Sequence, residues 1–185
     1  VQVPEKTITL EEFLRLPETK PASEYIHGQV IQKPMPQGKH SKLQGKLVTA
    51  INQVVEDQKI ALAFPEFAVP LGAIDRPDVS VFVWDQIPVD DKGDIANVFP
   101  ICPDWTIEIL SPDQSPTKVT GNILHCLNNG CQMGWLIDPE ERSLIVYPSA
   151  QQPEFLHEAH ELLPLPALFA DLQFTVVDVF NWLKL

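Results

Sequence analysis

The sequence predicts an α+β fold, a mixed β-sheet flanked by helices, and three observations carry that prediction. Apolar residues recur at steps of three to four between residues 43 and 55, the period of an amphipathic helix. Short β-branched runs follow, bounded by Pro, Gly and Asp clusters. A second helical stretch near residues 115–129 then separates two groups of those runs.

Taken in order, Thr9 followed three residues later by Glu12 is a capping-box pattern, so a short helix is expected over 9–16, ending before Pro17. Glu24 to Lys33 has Gly28 near its middle and β-branched residues after it, which predicts a strand or tight hairpin stopped by Pro34 and Pro36. Leu43, Leu47, Ile51, Val54 and Val55 mark a helix from Lys39 to about Asp57. Strands are expected over Ala61–Leu71, Pro77–Trp84 and, after the polar Asp90–Asp94 loop, Trp105–Leu110. Val119, Ile123, Leu124 and Leu127 place a helix over 115–129 with Gly130 to stop it. Gly134–Asp138 and Ser143–Tyr147 read as a hairpin, Phe174–Val177 as a strand, and Phe180, Trp182 and Leu183 as a last helical turn or two.

With 185 residues, 44% of them hydrophobic and 21% charged, residues 1–185 can bury one sizeable core and are read as a single domain. No run approaches the roughly 18 apolar residues of a membrane span. Glu5, Glu11, Glu12 and Glu18 stand where a secretory signal would be basic and then apolar, so a cytoplasmic location is expected. Three cysteines without a CxxC pair supply neither a disulfide framework nor a zinc knuckle. His157-Glu158-Ala159-His160 lacks the HExxH spacing that puts two ligands on one helical face. A nucleotide cofactor is not expected, because there is no Walker A or GxGxxG motif and only 8 glycines are available to build a phosphate cradle. The net charge of −12 argues against nucleic-acid binding by bulk electrostatics. Its distribution is uneven: residues 1–60 hold eight Lys/Arg against seven Asp/Glu, and the remainder five against eighteen. A polyanion contact would therefore fall in the first part, where Lys39, His40, Lys42 and Lys46 form a small basic patch at a helix start.

Two acids stand apart. Asp78 follows Pro77 at the head of an apolar strand, and Glu108 is embedded in Trp105-Thr106-Ile107-Glu108-Ile109-Leu110. A carboxylate among such neighbours is costly unless it is paired, protonated or bound to a metal. Two of them on adjacent strands can converge on one hard divalent cation, Mg²⁺ or Mn²⁺. Each also has a plain alternative, a strand carboxylate turned to solvent.

Arg76-Pro77-Asp78-Val79-Ser80-Val81, then Pro103 through Pro112, then Gly130 with Trp135-Leu136-Ile137-Asp138-Pro139 form an ordered series, together with Glu24-Tyr25-Ile26-His27-Gly28 and the helix start at His40. This series resembles the Uma2 family, a domain family abundant in cyanobacteria that looks like a branch of the PD-(D/E)xK nuclease superfamily. The resemblance spans most of the chain and implies a restriction-endonuclease-like fold and Mg²⁺- or Mn²⁺-dependent cleavage of DNA phosphodiesters, often by a homodimer. It makes Asp78 and Glu108 the catalytic acids, which with the Ile109 carbonyl would hold the metal, and Glu24 an accessory acid.

The superfamily's lysine is where the sequence departs. Leu110 stands two residues after Glu108, and Asn122 stands where the related proteins carry a helix lysine. Lys118, one turn earlier, is expected to have taken the role, since positions four apart share a helical face. The alternative is a catalytically inactive nuclease-like fold that binds DNA or a protein.

Overall fold

The computed structural model describes residues 7–26, 28–35, 37–70 and 74–185. His27, Pro36 and Leu71, each part of an expectation above, lie outside the described residues. The capping box at Thr9 forms: Glu12 N donates to Thr9 Oγ1 at 3.1 Å and Thr9 N to Glu12 Oε2 at 2.7 Å, opening α1 (Leu10–Leu14). Glu24 to Lys33 folds as a hairpin of β1 (Ser23–Ile26) and β2 (Gln29–Gln32). Gly28 turns it at φ +84°, a conformation glycine adopts without a Cβ penalty. Lys33 N donates to Ala22 O at 2.9 Å, so the ladder continues one step and fixes the backbone of Lys33.

Next comes α2 (Gly38–Val55), which buries His40, Leu43, Leu47, Ile51 and Val55 along one stripe. The strands that follow are β3 (Ala61–Pro65), β4 (Val69–Pro70), β5 (Ile74–Asp75), β6 (Val79–Val83) and β7 (Trp105–Ile109). Then α3 (Pro116–Asn128) leads to β8 (Met133–Asp138), β9 (Ser143–Pro148), β10 (Glu154–Leu156) and α4 (Val176–Asn181). A six-stranded sheet runs β10-β9-β8-β7-β6-β3, and a four-stranded one β2-β1-β5-β4. Only the β7–β8 pair of the larger sheet is parallel, with α3 as its crossover; its other pairs are antiparallel, which makes the sheet mixed.

The larger sheet buries both faces. Leu43, Leu47 and Ile51 of α2 join Val79, Val81, Trp105, Ile107, Ile109 and Trp135 in the main core. Each fully buried aliphatic side chain there contributes about 1.5–3 kcal/mol. On the other face Val119 and Ile123 of α3 meet Leu136 and Tyr147. Gly134 permits that approach, since a Cβ there would lie 2.2 Å from Ile123 Cγ2. Strand alternation turns Trp105, Ile107 and Ile109 toward α2 and Glu108 toward the α3 side.

Several expectations are corrected. The Ala61–Leu71 run breaks at Glu66, whose φ is +47°, and its two halves, β3 and β4, enter different sheets. Phe174–Val177 is not a strand. Asp178 N donates to Thr175 Oγ1 at 3.3 Å and Thr175 N to Asp178 Oδ2 at 2.8 Å, so a capping box starts α4 despite the β-branched pair Val176-Val177. The three-residue β10 was not anticipated. Trp135, Phe174 and Phe180 are buried in the main core, and Trp182 packs against it. Among the described residues no helix is long and apolar enough to cross a membrane.

Candidate active site

Asp78 sits one residue before β6, and the register Val79↔Ile107 carries it to the side of Glu108 near the end of β7. Both are buried, Asp78 at 0% and Glu108 at 2% exposure. Asp78 Oδ2 accepts from Ile109 N at 2.8 Å and from His40 Nε2 at 3.0 Å; Oδ1 accepts from Lys33 Nζ at 2.8 Å. The Asp78 carbonyl is held as well, by Gln44 Nε2 at 2.8 Å and Glu66 N at 3.1 Å. Four segments thus fix one aspartate: the β2 end, the start of α2, the β3 end and β7.

Local sequence explains each arrival. His40 lies three residues before Leu43 on the stripe that α2 buries, so the packing that sinks Leu43 sinks His40. The N-terminus of this 18-residue helix also favours an anion beside its first turn. Lys33 Nζ donates to Arg76 O at 2.6 Å besides Asp78, and Arg76 N donates to Glu24 Oε1 at 3.2 Å. The Arg76 peptide therefore bridges Lys33 and Glu24, whose Nζ and Oε1 stand 3.9 Å apart.

The charges reinforce this geometry. Burial would raise the Asp78 carboxyl, but the Lys33 ammonium, and then His40, outweigh it and hold the group at about 2. Burial would likewise lower Lys33, yet the fields of Asp78, Glu108 and Glu24, in that order, keep it above its ordinary value. One protonated lysine is therefore surrounded by three buried carboxyl groups. Lys33, His40, Arg76 and Asp78 line a cavity of about 910 Å³ whose walls include Phe13, Leu16, Phe67 and Val98.

Of the residues singled out in the sequence, the structure brings together Asp78, Glu108, Ile109, Glu24 and His40. It does not bring in the helix lysine. Lys118 is exposed on α3 and Asn122 half-buried, and neither lines the cavity. Val119, Ile123 and Cys126 are the buried positions of α3, which turns Lys118 outward. The basic patch divides: His40 enters the site, Lys39 pairs with Glu140 at 2.7 Å, and Lys42 and Lys46 are exposed on α2.

Lys33 is the residue that sequence reasoning missed. Two buried acids call for a cation, but nothing local marks a lysine at the end of a short hairpin as that cation. The donor chemistry of Asp78 and Glu108, hard oxygens on neighbouring strands, fits Mg²⁺ or Mn²⁺. Among the described residues no three His, Cys, Asp or Glu side chains form a metal-holding group by themselves, so backbone oxygen and water would have to complete the shell.

The Uma2 family model, described as "Putative restriction endonuclease", matches residues 10–177. A crystal structure at 1.96 Å from Anabaena variabilis ATCC 29413, titled a "putative nuclease belonging to DUF820", superposes with a TM-score of 0.93 at 56% identity, covering 95% of this chain and 99% of that one. Among curated proteins none matches.

Proposed function

Because this chain belongs to the Uma2 family, with its restriction-endonuclease-like mixed sheet, we propose that it is a metal-dependent DNA endonuclease whose site is built on Asp78, Glu108 and Lys33. The observation that carries this is the burial of two carboxylates, Asp78 and Glu108, around one lysine, with Asp78 and Lys33 lining a cavity. Mg²⁺ or Mn²⁺ held by Asp78, Glu108 and the Ile109 carbonyl would neutralise charge at the scissile phosphate and acidify a bound water.

The chain's own residues have defined parts in this reading. His40 and the Ile109 amide orient Asp78 and keep it ionised. Lys33, protonated at neutral pH, is a compact point charge suited to a non-bridging phosphate oxygen as negative charge develops. Glu24 fixes the Arg76 peptide and, through it, Lys33. Lys42 and Lys46 offer exposed cations for the flanking backbone. Two chains acting on opposite strands of one duplex belong to the same reading, tested by the mass in solution.

A second reading, a nuclease-like fold that binds DNA or a protein without cutting, is favoured by one observation: both Asp78 oxygens already accept hydrogen bonds from the protein. Plasmid DNA incubated with Mn²⁺, Mg²⁺ or EDTA separates the two. Cleavage by wild type with metal, lost in Asp78→Asn and Glu108→Gln, supports the nuclease. Absence of cutting together with absence of metal binding supports the second reading, and equal cutting by either variant overturns the site.

A further inference from the structure

Three cysteines spread over 30 residues of sequence meet in one place. Cys102 precedes β7 by three residues, Cys126 lies in the last turns of α3, and Cys131 precedes β8 by two. All three are thiols. Cys102 Sγ lies 3.3 Å from the Cys126 carbonyl oxygen, and Cys131 N donates to that same oxygen at 3.1 Å. Cys131 Sγ is 3.1 Å from Met133 O and 3.4 Å from Asp104 O. Cys126 and Cys131 are buried, whereas Cys102 is half-exposed.

We propose that Cys102 is a hydroperoxide-reactive cysteine that closes a disulfide with Cys131. The partially exposed member of a thiol cluster is where an oxidant can enter, and a buried thiol beside it is what turns the first oxidation into a cross-link. Cys131 is the partner because it lies in the turn after Gly130, outside helix and strand, where its sulfur can shift without unwinding α3. Electrostatics supports the division of roles. The neighbouring Cys126 and Cys131 thiols lower the Cys102 thiol below its ordinary range against the effect of burial, with His125 adding to this. The Cys131 thiol is pushed up by its bond to Cys102 and by burial.

The chemistry balances as follows. The Cys102 thiolate attacks one peroxide oxygen, the O–O bond breaks, and the departing alkoxide or hydroxide takes a proton, leaving Cys102 as a sulfenic acid. The Cys131 sulfur then loses its proton and attacks the Cys102 sulfur; the S–O bond breaks and the hydroxide leaves as water. Two thiols and one hydroperoxide give one disulfide, one alcohol or water, and one further water. The product joins the starts of the parallel neighbours β7 and β8, the first of which carries Glu108.

The test treats the reduced 185-residue chain with hydrogen peroxide and follows thiols by titration and peptide mass. The thiol count is expected to fall from three to one, with a Cys102–Cys131 peptide pair two hydrogens lighter. Cys131→Ser should stop at a dimedone-trappable sulfenic acid on Cys102. Cys102→Ser, at a half-exposed position that should fold normally, should slow peroxide consumption at least tenfold. An unchanged thiol count, a Cys102–Cys126 link, a linkage between two chains, or wild-type reactivity in Cys102→Ser overturns the proposal.

Discussion

Lys33 Nζ stands 2.8 Å from Asp78 Oδ1 across 45 residues of sequence, and both side chains are nearly removed from water. The pair joins the small sheet to the large one, because Lys33 ends the β2 hairpin and Asp78 heads β6. An ion pair this deep carries a large desolvation cost for each partner, and its members are stable only together.

Removing one partner is therefore expected to cost stability. Asp78→Leu would be neutral for folding if the acid served only chemistry, but it strands a buried ammonium, as Lys33→Met strands a buried carboxylate. Each single change should destabilise by about 3 kcal/mol or more, and the Lys33→Met/Asp78→Leu double variant should recover most of that loss. Urea denaturation of the four proteins checks it; strictly additive losses would show that the pair is not coupled. Lys33→Met should also bind Mn²⁺ more tightly than wild type, since the ammonium no longer competes for Asp78, and a thermal shift with added Mn²⁺ reads this directly.

The lysine assignment is tested by comparing two substitutions, each assayed at a temperature where a melt shows the variant folded. Lys33→Gln should lower the metal-dependent cleavage rate by on the order of a hundredfold, the loss of one transition-state electrostatic contact. Lys118→Ala, at an exposed position of α3, should change it by less than about threefold. The reverse outcome would restore the helix lysine to the site, and rescue of Lys118→Ala by Asn122→Lys would clinch it.

Much of this was legible in the sequence, for identifiable reasons. The α2 period, the Thr9 capping box, the β6 and β7 runs and the acids Asp78 and Glu108 are local signals, and local physics decides them. His40 reads in the sequence as one of an exposed basic patch, and the structure corrects this, because it continues the buried stripe of Leu43 and Leu47. Lys33 was not legible, since its role depends on how a hairpin of one sheet meets a strand of another. Phe174–Val177 misled for the opposite reason: a β-branched run was weighed above Thr175 and Asp178, whose cap starts a helix. The cysteine cluster has no sequence signature, as its members meet only once α3 crosses between β7 and β8.

Gly134 makes a further prediction about the α3 face. Its Cα lies against Ile123, and the Cβ of an alanine would come within 2.2 Å of Ile123 Cγ2 and 3.4 Å of Thr106 Cγ2. Ile123 is fully buried and has little room to yield, so Gly134→Ala should destabilise by about 1–3 kcal/mol. The double variant Gly134→Ala/Ile123→Val should regain part of the loss by removing bulk on the opposing side. A melt of both proteins checks this, and a wild-type melting temperature for Gly134→Ala would show that α3 is free to move outward.

The same ion pair sets an acid limit on stability. Asp78 is held at about 2 in the folded chain, below the roughly 3.9 of an unfolded aspartate, so the unfolded state binds more protons as pH falls between those values. Its contribution, on the order of 2 kcal/mol, is complete above pH ~4 and is lost progressively as pH falls toward about 2. Lys33, raised above its ordinary value, contributes in the opposite sense: its share is complete below pH ~10 and is lost only at higher pH. The two are one interaction seen from both partners, so the acid loss is counted once. Wild type should accordingly lose unfolding free energy between pH 4 and pH 2 more steeply than the Lys33→Met/Asp78→Leu variant. Denaturant titrations at several pH values in that window measure the difference, and parallel curves for the two proteins would show that Asp78 titrates alike folded and unfolded.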